Sequence, residues 1–189
     1  INREATIIIS NTIFQKIPSK KYQAVNKYGI SKSIAYDKIK NHCKKYNLKF
    51  KSIFITNPWG ILEEKKLNYY LINSWINGEE AIVKFPNYIR DNIFIDKLTK
   101  QYIKLLYSKS KKIDYFPSGY CCTNEEFIKA LKKKFEKFFK TNADVKFIYN
   151  LKHSQPKIRI NSKKFKKKIV INENLNIYFN YYKKLINKL

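Results

Sequence analysis

The sequence predicts an α/β fold built on a parallel sheet, and three stretches in its first third carry that prediction. Residues 5–10, ATIIIS, and residues 50–56, FKSIFIT, are short β-branched apolar runs typical of fully buried strands in parallel sheets. Between them, residues 28–46 place apolar side chains at helical spacing. The order strand, helix, strand is the beginning of an α/β architecture.

The remaining chain continues this alternation. Helices are predicted at residues 67–77, 96–107, from residue 123 onward and at 172–189, and strands at 81–85, 92–95, 115–116 and 145–149. Pro and Gly predict turns at residues 57–60, 77–78 and 117–119. Asp96 is the expected N-cap of its helix. Thr123, with Glu126 three residues later, forms a capping-box pattern.

Length and composition indicate a single globular domain or part of a larger one, because 189 residues with 44% apolar content can bury one sizeable core. No apolar run approaches the ~18 residues that a spanning helix needs, and no secretory leader opens the sequence. We therefore expect a cytoplasmic protein with no membrane partner. The three cysteines are odd in number and lack metal-ligand spacing, which predicts reduced structural thiols and no metal site.

The net charge of +26 suggests a nucleic-acid partner at first, since lysine-rich surfaces displace counterions from phosphates. The chain is rich in Lys, Asn, Ile, Tyr and Phe, however, and it has only three Arg and four Gly, a bias typical of AT-rich coding DNA. A protein selected to bind nucleic acid would normally keep Arg for phosphates and guanine. We therefore regard a nucleic-acid partner as unlikely, and a basic nucleic-acid-binding module remains the alternative.

Several short motifs follow one another in a fixed order. Tyr-x-x-x-Lys occurs at Tyr28, Tyr36 and Tyr107, so this spacing alone proves nothing. The informative series is Ser10 at a strand end, YGISK at 28–32, NPWG at 57–60, IRDNIFID at 89–96, FPSGYCCTNEEFIKAL at 116–131 and QPKIRIN at 155–161. This series closely resembles the extended short-chain dehydrogenase/reductase superfamily, in particular its NAD-dependent epimerase/dehydratase enzymes acting on nucleotide sugars. The resemblance covers nearly the whole chain.

The resemblance implies the C-terminal part of a Rossmann-like doubly wound parallel sheet plus a smaller mixed α/β substrate-binding domain. Residues 1–58 would belong to the NAD(P)-binding domain and residues 59–189 mainly to the substrate domain, with about 92–120 returning to the former. The family's Gly-x-x-Gly-x-x-Gly turn, which binds the dinucleotide pyrophosphate, does not occur in this sequence. Because the chain also lacks any Met, we expect an N-terminally truncated member.

The resemblance also implies chemistry. A free tyrosine loses its proton only near pH 10, and a neighbouring ammonium favours the phenolate. Tyr28 would be the acid/base, and Lys32 would assist it; both would contact the cofactor, NAD or NADP. Ser10 would hydrogen-bond the sugar oxygen, a role that Thr12 could fill instead. A dehydratase would need a carboxylate pair after Ser10, where Asn11 and Thr12 stand, so epimerase or reductase is favoured.

Four further residues receive binding roles from the resemblance. Pro58 would shape the cofactor side of the cleft and Asn57 would reach the substrate, a nucleotide-diphosphate sugar. Arg90 and Arg159 lie where the family commonly binds the diphosphate, which a guanidinium fork suits well. Salt bridges to Asp91 or Asp96 are the alternative for these arginines. The expected whole is a homodimeric enzyme of surface polysaccharide sugar biosynthesis; the remaining alternative is a catalytically inactive relic.

Overall fold

The computed structural model describes residues 6–63, 66–149, 155–162 and 164–186. Nine strands and five α-helices are assigned within these ranges. The strands are β1 Thr6–Thr12, β2 Lys49–Ile55, β3 Asn57–Trp59, β4 Ala81–Lys84, β5 Ile89–Phe94, β6 Asp114–Tyr115, β7 Tyr120–Thr123, β8 Val145–Ile148 and β9 Ile158–Arg159. The helices are α1 Lys27–Lys45, α2 Leu67–Ile76, α3 Ile95–Tyr107, α4 Asn124–Phe139 and α5 Asn176–Ile186.

The first sheet is parallel and has the order β1-β2-β6. Thr6 lies opposite Lys49 and Thr12 opposite Ile55, so β1 and β2 run in register over seven residues with α1 as the connecting helix. Strand β1 forms one edge of this sheet in the described part of the chain. Its Ile7, Ile8 and Ile9 are only partly buried, so the prediction of a fully buried strand was wrong: no described strand covers the outer edge of β1.

The second sheet has the order β3-β5-β7, with β9 also pairing with β5. Strand β3 covers Asn57–Trp59, where the sequence predicted only a turn; the chain pairs with β5 before it turns at Gly60. Strands β4 and β8 form a separate parallel pair. The predicted strand at 92–95 begins earlier, at Ile89, because its first residues pair with β7 and β9.

The largest hydrophobic core lies around Trp59 and is rich in aromatic side chains. Trp59 is 1% exposed and its ring packs against Phe94, Phe127 and Tyr178 at centroid distances of 4.8, 5.2 and 5.7 Å. Helices α2, α4 and α5 supply most of the other members of this core. Two smaller clusters lie against the first sheet, one around Ile53 and Ile93 and one around Ile13 and Phe54.

The helix termini test the capping predictions. Thr123 caps α4 as predicted, its Oγ1 accepting the Glu126 amide at 3.2 Å. Asp96 is not the N-cap of α3, because β5 runs directly into the helix and Phe94 occupies that position. The closing helix begins at Asn176, four residues later than predicted, and the predicted end at 187–189 lies outside the described residues.

The three cysteines are buried and free, as expected of structural thiols. Burial raises the pKa of Cys121 to about 11 and that of Cys122 to about 12, which keeps both thiols protonated near neutral pH.

Candidate functional site

The candidate site lies toward the carboxyl end of β1, where Ser10, Tyr28 and Lys32 meet. Asn26 caps α1, its Oδ1 accepting the Gly29 amide at 2.9 Å, so Tyr28 lies in the first turn and Lys32 one turn later. The Lys32 Nζ donates to the Ser10 carbonyl oxygen at 3.2 Å and lies 5.9 Å from the centroid of the Tyr28 ring. The structure therefore brings together the three residues that the resemblance implies as catalytic, and Tyr28 is 54% exposed.

Ser10 has a second partner that sequence reasoning missed. Its Oγ lies 2.5 Å from the hydroxyl of Tyr102, which reaches it from α3. Tyr102 is 92 residues away along the chain and belongs to no motif, so only the packing of α3 against the first sheet reveals the contact. The hydroxyl proposed to bind the sugar oxygen is thus already positioned by a phenol.

A close approach between α1 and the loop after β1 fixes the spacing of the site. A Cβ on Gly29 would lie 2.1 Å from the carbonyl oxygen of Phe14. That oxygen also accepts the Val25 amide at 2.9 Å, so the loop returns to the start of the helix. Only glycine lets the helix carrying Tyr28 approach the end of β1 this closely.

Asn57 and Arg90 line one small pocket of about 210 Å³, together with Ile13, Phe14, Thr56, Leu67, Lys84, Phe85, Tyr88, Asn124 and Gln155. The Asn57 Nδ2 donates to the Asn92 Oδ1 at 2.5 Å, which holds the amide against β5. Pro58 is the central residue of β3 and lies opposite Ile93 in the register with β5.

Arg90 is buried in this wall, with 8% of its surface exposed. Its Nη1 donates to the carbonyl oxygens of Ile89 and Lys157, both at 2.9 Å, and its guanidinium lies 5.0 Å from the centroid of the Tyr88 ring. Burial lowers the pKa of Arg90, and the nearby positive charge of Arg159 lowers it further. Both of these hydrogen bonds use Nη1, so Nε and Nη2 are the donors of this side chain that an added anion could use.

Arg159 spans the loop between β1 and α1. Its Nη1 donates to the Ile13 carbonyl at 3.0 Å and its Nη2 to the Gln23 carbonyl at 2.8 Å, while the guanidinium lies 4.5 Å from the Tyr22 ring centroid. Burial lowers the pKa of this guanidinium too. The fork of Arg159 thus binds backbone carbonyls of the loop that precedes α1.

The acids suggested as alternative partners do not pair with these arginines within the described ranges. Asp91 is 0% exposed and accepts three backbone amides instead: Gly119 at 2.7 Å on Oδ1, and Asn161 and Ser162 at 3.0 Å each on Oδ2. Asp91 therefore joins three of the sequence motifs, IRDNIFID, FPSG and QPKIRIN, in one anchor, a role that the sequence alone did not indicate.

Comparison with known proteins shows what kind of fold surrounds this site. No protein-family model matches the sequence, and no curated protein matches it. Solved structures do match. UDP-glucuronic acid 4-epimerase from Bacillus cereus, in complex with UDP-glucuronic acid and NAD, is 15% identical with a TM-score of 0.71, over 95% of this chain and 62% of that one.

Two other solved structures give the same result. UDP-glucose 4-epimerase from Thermotoga maritima, with UDP-glucose, is 16% identical with a TM-score of 0.71 over 96% of this chain and 64% of that one. The dTDP-glucose 4,6-dehydratase from Streptomyces venezuelae, with NAD bound, is 12% identical with a TM-score of 0.69 over 95% and 60%. The chain thus has the fold of the matching part of these enzymes, which confirms the predicted Rossmann-like α/β class.

This chain spans about 62% of the length of the first of these structures. Within the described residues, no helix combines the length and the apolarity needed to cross a membrane.

Proposed function

We propose that this chain provides the acid/base and sugar-nucleotide part of an NAD(P)-dependent epimerase or related reductase. The observation that carries the proposal is the convergence of Ser10, Tyr28 and Lys32 at the carboxyl end of a parallel strand. Ligands of open α/β sheets bind at this end of the strands. The shared fold with enzymes solved in complex with UDP-sugars and NAD supports the same assignment.

The residues at this position fit the ribose and nicotinamide side of a dinucleotide. Tyr28 is exposed and Lys32 half-buried, so a phenol and an ammonium are both available to ribose hydroxyls, with Pro58 proposed on the wall of the cleft. Bound there, NAD(P) would take a hydride from the sugar carbon. The pyrophosphate would have to be held by a segment not in this sequence, because no Gly-x-x-Gly-x-x-Gly turn occurs in it.

Each of the three side chains then has a defined task. The Lys32 ammonium stabilises Tyr28 as the phenolate, which removes the proton of the sugar hydroxyl and becomes the neutral phenol. Ser10, positioned by Tyr102, donates a hydrogen bond to the sugar oxygen. Asn11 and Thr12, 4% and 7% exposed, supply no carboxylate, which favours epimerisation or reduction over dehydration.

The substrate would be a nucleotide-diphosphate sugar held on the Asn57 and Arg90 side of the cleft. Arg90 lines a pocket together with Asn57, and its donors other than Nη1 would bind a phosphate oxygen there. Arg159 would act on the diphosphate through its charge, because both of its Nη atoms already bind carbonyls. We also propose that residues 1–58 and part of 92–120 form the cofactor side, and that most of 59–189 forms the substrate side. Strand β6, which lies within 92–120, pairs with β2 of the first sheet, and this pairing supports the division.

The test is to join this chain to a segment that carries a Gly-x-x-Gly-x-x-Gly dinucleotide-binding turn, to incubate the joined protein with NAD and UDP-glucose, and to follow epimer formation by proton NMR. Tyr28→Phe removes only an exposed hydroxyl, so we expect turnover to fall by about 10³-fold or more, since the proton transfer is lost, while the melting temperature stays unchanged. Tyr46→Phe is the matched control, because Tyr46 is a similarly exposed tyrosine, 47% exposed, at the other end of α1. Absence of both epimer formation and NAD binding in the unmodified protein would favour the inactive relic.

A further inference from the structure

A large cleft lies at the opposite end of the first sheet from the candidate site. It has a volume of about 970 Å³. Its walls are the last turns of α1, the first residues of β2, and residues 106–113, which comprise the end of α3 and the segment that follows it. Thr6, the first described residue of β1, lines it, and Ser10 lies four residues further along the strand, roughly 13 Å at the rise of a β-strand. The cleft is therefore separate from the site proposed above.

The cleft concentrates positive charge beyond the background of the chain. Seven of its eighteen lining residues are lysines, against about one residue in five overall, and none of the described lining residues is acidic. These lysines are Lys40, Lys44, Lys49, Lys51, Lys109, Lys111 and Lys112. Both ion pairs of the described structure lie on α4, so none of the cleft lysines is ion-paired with a described carboxylate. Ammonium groups gathered in a concave surface focus the field on an incoming anion.

One wall of the cleft is held in place before any ligand arrives. Lys51 is 7% exposed, and its Nζ donates to the carbonyl oxygens of Leu105, at 3.3 Å, and Ser108. These bonds tie the C-terminus of α3 to β2, and the Ser52 amide donates to the Ile113 carbonyl at 2.9 Å at the other end of the segment. The exposed Lys109, Lys111 and Lys112 between these two anchors thus belong to a closed loop, which lowers the entropy cost of binding.

An aromatic ring stands at the rim of the same wall. Tyr107 is 83% exposed and follows Leu106, which is 60% exposed. A largely exposed phenol ring next to a row of lysines matches the pattern of single-stranded nucleic-acid binding, in which bases stack on aromatics and phosphates follow a basic groove. A duplex hides the faces of its bases and would leave Tyr107 without a partner.

We propose that this lysine cleft binds single-stranded nucleic acid, with the phosphate backbone on Lys109, Lys111 and Lys112 and a base stacked on Tyr107. The compositional bias of the chain explains its overall positive charge. It does not explain why the fraction of lysine is higher in this cleft than in the whole chain. This proposal is independent of the proposed enzyme function, because nucleic-acid binding is measured in the absence of NAD and sugar nucleotide.

The experiment measures binding of a fluorescein-labelled oligo-dT 12-mer by anisotropy between 50 and 300 mM salt. The triple variant Lys109→Gln, Lys111→Gln, Lys112→Gln is compared with Lys166→Gln, Lys167→Gln, Lys168→Gln, which removes the same charge from exposed positions outside the cleft. We expect the cleft variant to bind at least 10-fold more weakly at 150 mM salt and to lower the log–log salt slope by about 2, at roughly 0.7 per phosphate contact. The control variant should remain within about twofold. Equal weakening by both triples would overturn the proposal.

Tyr107 provides the second, independent measurement. Tyr107→Ala should weaken binding by about 5-fold to 100-fold, the range for loss of one stacked base, while Tyr107→Phe retains affinity because the ring remains. If Tyr107→Ala has no effect and inorganic polyphosphate competes equally at matched phosphate concentration, the cleft is a general anion surface and the nucleic-acid assignment is wrong. Exposed substitutions of this kind leave the fold intact, which unchanged melting temperatures would verify.

Discussion

Replacing Gly29 with alanine sets two physical effects against each other, and the structure predicts which is larger. Alanine is the better helix former by up to about 1 kcal/mol, so helix propensity alone predicts a more stable protein. The added Cβ, however, would lie 2.1 Å from the Phe14 carbonyl oxygen and 2.9 Å from its carbon. Ordinary contact begins near 3.4 Å, so the helix or the loop must move by about 1 Å. Overpacking of this kind costs about 1–3 kcal/mol.

We expect the cost to lie at the upper end of this range, about 3 kcal/mol, because the Phe14 carbonyl is held in place by the Val25 amide. Less the gain of about 1 kcal/mol in helix propensity, Gly29→Ala should lower the free energy of unfolding by about 2 kcal/mol. For a chain of this size the melting temperature should fall by about 4–8 °C. Urea unfolding followed by circular dichroism measures the effect. Ala35→Gly, at an exposed position of the same helix, is the control and should cost about 1 kcal/mol through propensity alone. A Gly29→Ala protein as stable as the unmodified one would refute the close approach.

The same substitution tests the candidate site. A shift of α1 moves Tyr28 and Lys32 relative to Ser10, and the 3.2 Å contact from the Lys32 Nζ to the Ser10 carbonyl would lengthen. Because misplacement by 1 Å can cost about 10²-fold in rate, we expect epimerase turnover at 20 °C to fall far more than the folded fraction.

Two further substitutions test buried ionisable side chains, Arg159 and Glu63. Arg159→Met removes two charge-assisted hydrogen bonds to carbonyl oxygens and should cost about 3 kcal/mol in urea unfolding; a loss below about 1 kcal/mol would show that water replaces the guanidinium. Burial raises the pKa of Glu63 from 4.5 to about 7, so the folded state holds this proton more tightly than the unfolded chain. Its stabilising contribution is therefore full below pH 4.5 and is lost as the pH rises through 7, by up to about 3 kcal/mol. Glu63→Gln should flatten that decline when unfolding free energies are compared at pH 5, 6, 7 and 8; identical pH profiles for the two proteins would contradict the buried carboxyl.

The order of elements could be predicted from the sequence because each depends on local pattern. The apolar runs of β1 and β2, the helical spacing of α1 and the capping box of α4 all follow from residues within a few positions of one another. The grouping of Ser10, Tyr28 and Lys32 was implied by the family resemblance and reappears in the contacts of the Lys32 ammonium.

The contacts that could not be predicted join distant segments through side chains of ordinary type. Tyr102 reaches Ser10 across 92 residues, and nothing near Tyr102 distinguishes it from the fourteen other tyrosines of the chain. Asp91 collects amides from residues 28, 70 and 71 positions away. Such partners depend on how the two sheets pack, which local periodicity does not encode.

The rare residue types of this lysine-rich chain, Arg and Gly, show how much the composition alone can predict about individual positions. A residue type that persists against such a compositional bias is favoured where no other residue serves. Gly29 and Gly119 are such positions, because a Cβ on either would lie 2.1 Å from a backbone oxygen. Arg159 also occupies a position that needs its particular geometry, because its fork bridges two carbonyls of the loop that leads into α1, which a lysine point charge could not do. Rarity therefore identifies positions that need a particular geometry, but it does not say whether that geometry serves a ligand or the backbone. For Arg159 both Nη atoms serve the backbone, and the action proposed for it on the diphosphate is through its charge.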